Sequence, residues 1–221
     1  MKNDKSENFV RELPEGYEQV FHINAKNKKT GFILNFLALV IFVLILFPAR
    51  ILLMALVEMP PNSLFQISLG ALIGCAASLV YVAAHELTHG VAYKIVTGEK
   101  LTYGISWSCA FCGVPNIYVY RKYLIIACLA PFVVFSVVFM AAIGICFIIM
   151  INYSAFASVG ITVYSALVTV FALHFGGCAG DLFMAGLLLF KYRDKDTLAR
   201  DTGPEQTIYV KKEVLNQNEN A

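Results

Sequence analysis

The residues best suited to chemistry in this sequence are two histidines and a glutamate in the segment His85–His89, whose letters are HELTH. Histidines four residues apart on a helix differ in direction by about 40°, so both imidazoles can face one ion. Glu86 points about 100° away from His85, so its carboxylate can hold a water molecule beside the ion. This spacing is typical of a zinc site in which water is activated for hydrolysis.

A third ligand has to come from elsewhere, because catalytic zinc sites usually have three protein ligands and one open position. Asp181 is the leading candidate, since an unpaired carboxylate inside a membrane-spanning segment is costly. Asp181 can instead cap a helix end. His174 is the runner-up for the third ligand, or supports a ligand or contacts substrate, but a lone histidine in an apolar helix is by default a hydrogen-bonded packing residue. Asn116, in the loop segment Gly113–Asn116, is a weak candidate for substrate binding, and the sequence favours a plain turn asparagine over that role.

The elements that must position these residues are membrane-spanning helices. Of the 221 residues, 58% are apolar, and only nine side chains between Gly31 and Phe190 carry a charge. The apolar stretches between them reach the roughly 20 residues that a helix needs to cross a bilayer. We therefore predict an all-α integral membrane protein with about four transmembrane helices, the fourth long and broken near Gly176–Gly180. The predicted spans are Phe32–Val57, Leu64–Val96, Leu124–Ile151 and Ser154–Phe190.

The polar segments 1–30 and 191–221 are predicted to be cytoplasmic tails that flank a transmembrane domain at residues 31–190. Four spans with both termini in the cytoplasm place 16 of the 17 lysines and arginines on that side, as membrane topology favours. The sequence contains no dense basic run, so nucleic acid is not an expected partner.

The loop between the second and third spans is predicted to contain a small β-hairpin that pairs Leu101–Trp107 with Ile117–Tyr120. Its aromatic side chains, Tyr103 among them, are expected at the membrane interface. Cys109 and Cys112 form a Cys-x-x-Cys pair in the same loop. Such a pair alone is weak evidence for metal or redox chemistry.

Several blocks of residues give the sequence a family resemblance, namely His85–Gly90, Tyr123–Pro131, Gly177–Leu182 and Asp201–Gly203. They resemble a bacterial membrane family of unknown function described as zincin peptidases, over most of residues 10–210. That family in turn is similar to the site-2 proteases, which are intramembrane zinc metalloproteases.

The resemblance implies that His85, His89 and Asp181 bind one Zn²⁺ ion and that Glu86 is the general base. The sequence departs from the site-2 proteases at the third ligand. Asp181 is followed by Leu182, whereas those proteases carry a longer Asp-Gly signature.

From the motif and the resemblance we expect a zinc-dependent intramembrane endopeptidase in the bacterial cytoplasmic membrane. Its expected partners are the lipid bilayer and a membrane-anchored peptide or protein substrate, cut near the cytoplasmic leaflet because the motif ends the second span. The alternative is a non-catalytic membrane scaffold or accessory subunit that retains a metal site. A transporter is less favoured, because few charged residues line the spans.

Overall fold

Four long apolar helical stretches run through the structure, a computed structural model that describes residues 8–213. They contain 29, 35, 32 and 38 residues, so each is long enough to cross a hydrocarbon core of about 30 Å. The four predicted apolar helices are therefore confirmed. Their helical segments are α1 (Lys28–Leu56), α2 (Ser63–Thr97), α3 (Arg121–Asn152), a 3-10 turn at Ser154–Phe156, α4 (Ala157–Gly177), α5 (Ala179–Gly186) and a π-helical turn at Leu187–Lys191.

The fourth apolar stretch is interrupted at Cys178, within the predicted break at Gly176–Gly180. The backbone of Cys178 has φ −76° and ψ −2°, whereas a regular helix has ψ near −42°. The interruption ends α4 and starts α5, whose first turn carries Asp181. A carboxylate in this position is favoured by the helix dipole.

The described chain also contains seven short strands, so the predicted all-α class is too narrow. These strands are β1 (Phe9–Val10), β2 (Tyr17–Asn24), β3 (Thr102–Ile105), β4 (Ala110–Gly113), β5 (Tyr118–Tyr120), β6 (Leu198–Asp201) and β7 (Glu205–Lys211). Five of them form one antiparallel sheet in the order β1-β5-β6-β7-β2. Glu18 of β2 pairs with Val210 of β7, and partners so distant in sequence leave no hairpin signal.

The structure contains a hairpin that begins near Leu101, but the predicted second strand, Ile117–Tyr120, is wrong. β3 pairs with β4, so that Tyr103 faces Cys112, whereas β5 pairs with β1 and β6 of the larger sheet. The local partner is favoured because the hairpin closes through a short turn in which the backbone N–H of Ser106 donates to the carbonyl of Cys109, at 2.7 Å. Pro115 in the following turn separates β5 from this hairpin.

The described chain divides into two compact units. Unit 1 comprises residues 8–34, 85–131 and 180–213. It contains the strands, the end of α2, the start of α3 and α5 from Gly180 onward. Its core is built around fully buried side chains of α2, α3 and the sheet, including Tyr93, Leu124 and Ile208.

Unit 2 comprises residues 35–84 and 132–179, which are the remaining parts of the apolar helices. Its core contains the fully buried Leu53 and Ile161. Arg50 of α1 donates hydrogen bonds to the hydroxyls of Ser165 and Thr169 on α4, and these bonds offset part of the cost of placing a cation among apolar helices.

Small residues allow α2 and α4 to pack closely within unit 2. A Cβ atom added at Gly70 would lie 2.3 Å from the carbonyl oxygen of Thr162, and one at Gly74 would lie 2.7 Å from that of Ala166. Close backbone contact at small residues is a common way to pack membrane helices.

We expect Gly70→Ala to lower the free energy of unfolding by about 1–3 kcal/mol, because the helix backbones must move apart. Thermal unfolding in detergent measures the effect. Gly144→Ala is the matched control, since an added Cβ there meets nothing within 4 Å and alanine favours a helix. Equal stability of the two variants would contradict the packing argument.

Candidate metal centre

The two histidines of the motif lie one turn apart near the end of α2, and their rings meet. Their Nε2 atoms are 3.2 Å apart, and both residues are buried. The helix places both imidazoles on one face, as the four-residue spacing predicts.

Asp181 completes the group from the first turn of α5. Its Oδ2 atom lies 3.3 Å from Nε2 of His85 and 3.3 Å from Nε2 of His89. The structure thus brings together the three side chains that the sequence nominates as metal ligands, all within unit 1.

The separations of these three donor atoms fit a zinc ion. A tetrahedral zinc ion with bonds of about 2.0–2.1 Å holds its donors about 3.3 Å apart. The observed separations of 3.2, 3.3 and 3.3 Å form a nearly equilateral triangle of that size. Two nitrogens and one carboxylate oxygen are also a donor set that zinc accepts, with room for a fourth ligand.

A partner on α3 fixes the orientation of His89. Its Nδ1 lies 2.9 Å from the carbonyl oxygen of Ala127, so Nδ1–H donates and Nε2 carries the lone pair. The lone pair therefore points into the triangle of donors. Ala127 cannot be recognised from the sequence as this partner, because a backbone carbonyl can come from any residue type.

Glu86 is half-buried and does not belong to the triangle of donor atoms. It follows His85 directly, so helix geometry turns its side chain about 100° away from that imidazole. A carboxylate in this position can accept a proton from a water molecule beside the metal site.

The two proposed substrate-binding residues lie in different places. Asn116 is exposed in the turn between β4 and β5, and the described hydrogen bonds do not connect it to the motif. His174 is fully buried in unit 2, where its Nδ1 lies 2.6 Å from the Tyr81 hydroxyl and its Nε2 lies 3.1 Å from that of Ser136. Both ring nitrogens of His174 thus have hydroxyl partners within unit 2.

The Cys-x-x-Cys pair consists of one thiol in a turn and one in a strand. Burial raises the pKa of the Cys112 thiol to about 12, and the nearby carboxylates of Glu86 and Asp201 also raise it. The Cys109 thiol lies in the turn, 3.4 Å from the Ser106 hydroxyl. Cys112 therefore stays protonated at neutral pH, which does not suit a thiolate ligand or nucleophile.

A buried carboxylate in β6 joins the sheet to the motif helix. Asp201 accepts hydrogen bonds from the Tyr93 hydroxyl on α2, the backbone N–H of Gly203 and the Gln206 amide. Burial raises the pKa of Asp201 to about 6, although these three hydrogen bonds oppose the rise. Sequence reasoning did not assign Asp201 a role, but Tyr93 follows His89 at the same four-residue spacing and so shares its face.

The raised pKa of Asp201 predicts how stability depends on pH. A carboxyl group that binds its proton more tightly in the folded state stabilises the fold below its ordinary pKa. This stabilisation is lost as the pH rises from about 4 to about 6, by roughly 3 kcal/mol in all. Thermal unfolding across this range should show a steeper loss for the wild type than for Asp201→Asn. Equal slopes in the two proteins would contradict the prediction.

A sequence model of the family described as "Putative zincin peptidase" matches residues 78–195, which is more than half of the chain. The matched region contains the HELTH segment and Asp181. No curated protein and no solved structure matches the chain, so the similarity to site-2 proteases stays an expectation.

Proposed function

Because the chain belongs to this zincin peptidase family, we propose that it is a zinc-dependent intramembrane endopeptidase. Its substrate would be a membrane-anchored peptide or protein, cleaved near the cytoplasmic leaflet. The observation that carries the proposal is the convergence of His85, His89 and Asp181, with donor atoms 3.2–3.3 Å apart, from the C-terminal part of α2 and the first turn of α5.

His85, His89 and Asp181 would hold the ion, and Ala127 would keep His89 in the ligating tautomer through its carbonyl. When bound, zinc polarises the scissile carbonyl and lowers the pKa of a water molecule to about 7. A single ion satisfies the three donors, which supports one Zn²⁺ per chain.

Glu86 would act as the general base and then as the general acid. It accepts a proton from water while the water oxygen bonds to the carbonyl carbon of the peptide. The carbon–nitrogen bond then breaks, and Glu86 delivers this proton to the leaving amine. One water molecule is consumed, and a carboxylic acid and an amine are released.

The position of the motif supports cleavage near one leaflet. His89 lies eight residues before the end of α2, which is about 12 Å along the helix axis. Lysines and arginines lie at this end of α2 and in the first turns of α1 and α3, as expected for a cytoplasmic face. A site at this depth reaches peptide bonds just inside the membrane, and we propose that both termini are cytoplasmic.

Cleavage of a library of membrane-anchored peptides by the purified protein in liposomes tests this function. New amine termini should appear with the wild type and should disappear when a zinc chelator is added. If the zinc-loaded wild type cleaves no member of the library, the hydrolytic function is contradicted and a non-catalytic scaffold becomes the better explanation.

A further inference from the structure

The β3–β4 hairpin brings a tyrosine hydroxyl onto the motif helix, one turn beyond Glu86. A Cβ atom added at Gly90 would lie 1.8 Å from the Tyr103 hydroxyl oxygen and 2.8 Å from its Cζ atom. Only glycine therefore allows this hydroxyl to approach α2. Positions 86 and 90 lie on the same face of the helix, with side-chain origins about 5–6 Å apart.

The surroundings of Tyr103 link it electrostatically to Glu86. Burial raises the pKa of the Tyr103 hydroxyl. Its hydrogen-bond partner, the Cys112 thiol, raises this pKa further, and so does the carboxylate of Glu86. The charge of Glu86 also raises the pKa of the Cys112 thiol. Tyr103 therefore keeps its proton at neutral pH, close to the carboxylate that the proposed reaction requires.

The Tyr103 side chain is also accessible to a ligand. Tyr103 is 47% exposed, whereas its partner Cys112 is only 6% exposed and Gly90 is buried. A thiol is a weak hydrogen-bond acceptor. The Tyr103 hydroxyl can therefore donate its hydrogen bond to a stronger acceptor instead, such as a peptide carbonyl oxygen. The hydroxyl contacts the motif helix, which distinguishes Tyr103 from an aromatic residue that only marks the membrane interface.

We propose that Tyr103 is a catalytic residue whose hydroxyl donates a hydrogen bond to the carbonyl oxygen of the peptide bond being cleaved. This assignment rests on the proposed function. Negative charge grows on that oxygen as water adds to the carbonyl carbon, so the hydrogen bond strengthens as the reaction proceeds. Tyr103 keeps its proton throughout, and the proton transferred to the amine is the one that Glu86 takes from water.

Tyr103→Phe removes the hydroxyl and keeps the ring, so it tests the assignment directly. We expect kcat to fall about 100-fold, with KM and zinc content little changed. A phosphinic analogue of the cleaved peptide, which imitates the tetrahedral state, should bind about 100-fold more weakly. Its binding can be followed by the fluorescence of Trp107, the single tryptophan, which lies in the turn of the same hairpin.

Two further variants separate catalysis from structure. Cys112→Ala removes the hydrogen-bond partner but keeps the Tyr103 hydroxyl, and its kcat should stay within a few-fold of the wild type. Tyr118→Phe, in β5, is the matched control and should behave as the wild type. If Tyr103→Phe keeps both kcat and phosphinic peptide affinity, the assignment is wrong although the proposed function stands. If the wild type itself cleaves no peptide, the proposed function fails and this assignment fails with it.

Discussion

Substitution of Glu86 by glutamine is expected to abolish peptide cleavage while leaving the metal site intact. Glutamine has nearly the same size and can still hydrogen-bond to water, but it cannot accept a proton from it. General base catalysis contributes about 10²–10⁴-fold, so the rate should fall by at least about 100-fold. Because Glu86 does not belong to the three converging donors, zinc content should stay the same.

The measurement is cleavage of a membrane-anchored reporter peptide in liposomes, with zinc and thermal stability determined on the same samples. Glu58→Gln is the matched control, because Glu58 is exposed in the connection between α1 and α2. A Glu86→Gln protein that cleaves at the wild-type rate would exclude the hydrolytic role. Full loss of zinc in this variant would instead show that Glu86 belongs to the metal site.

Substitution of Asp181 by asparagine is expected to empty the metal site. The change replaces the only negatively charged donor of the triangle by a neutral amide, and it leaves two imidazoles as the remaining protein ligands. Substitution of residues that only hydrogen-bond to metal ligands already lowers metal affinity about 10–100-fold. Loss of a ligand itself should therefore weaken zinc binding at least about 100-fold. His89→Ala should have a comparable effect.

Zinc quantification on purified protein and competition with a zinc chelator measure this loss. Asp196→Asn is the matched control, since the Asp196 carboxylate pairs with Lys211 in the sheet region, and it should retain zinc. His174→Ala tests the alternative third ligand and is expected to keep the ion. Retention of zinc by Asp181→Asn together with its loss from His174→Ala would reverse the assignment.

The candidate site could be predicted from the sequence because two of its residues are close in sequence and the third is of a type that is rare in apolar stretches. His85 and His89 are separated by one helical turn, so their convergence follows from helix periodicity alone. Asp181 stands out because it is one of very few charged residues within the apolar stretches, where an unpaired carboxylate is costly. The glycines around it likewise predict the break that starts α5.

The five-stranded sheet could not be predicted in the same way. Its strands are two to eight residues long, and β2 pairs with β7 from the opposite end of the chain. Strand pairing over such a distance depends on tertiary packing, which cannot be recognised from the sequences of such short strands. The contact between Tyr103 and Gly90 is equally hidden, because it depends on where the hairpin folds back onto α2.

The pairing of β2 with β7 has a consequence for the way the protein is made. About 180 residues separate the end of β2 from the start of β7. At a synthesis rate of 5–20 residues per second, β2 waits roughly 10–40 s before its partner leaves the ribosome. The four apolar helices are synthesised within that interval, so all of them are made before the sheet can close. Asp201, which holds the sheet to the motif helix through Tyr93, also arrives late. The newly made chain therefore acquires this support for α2 only after its four apolar helices have been synthesised.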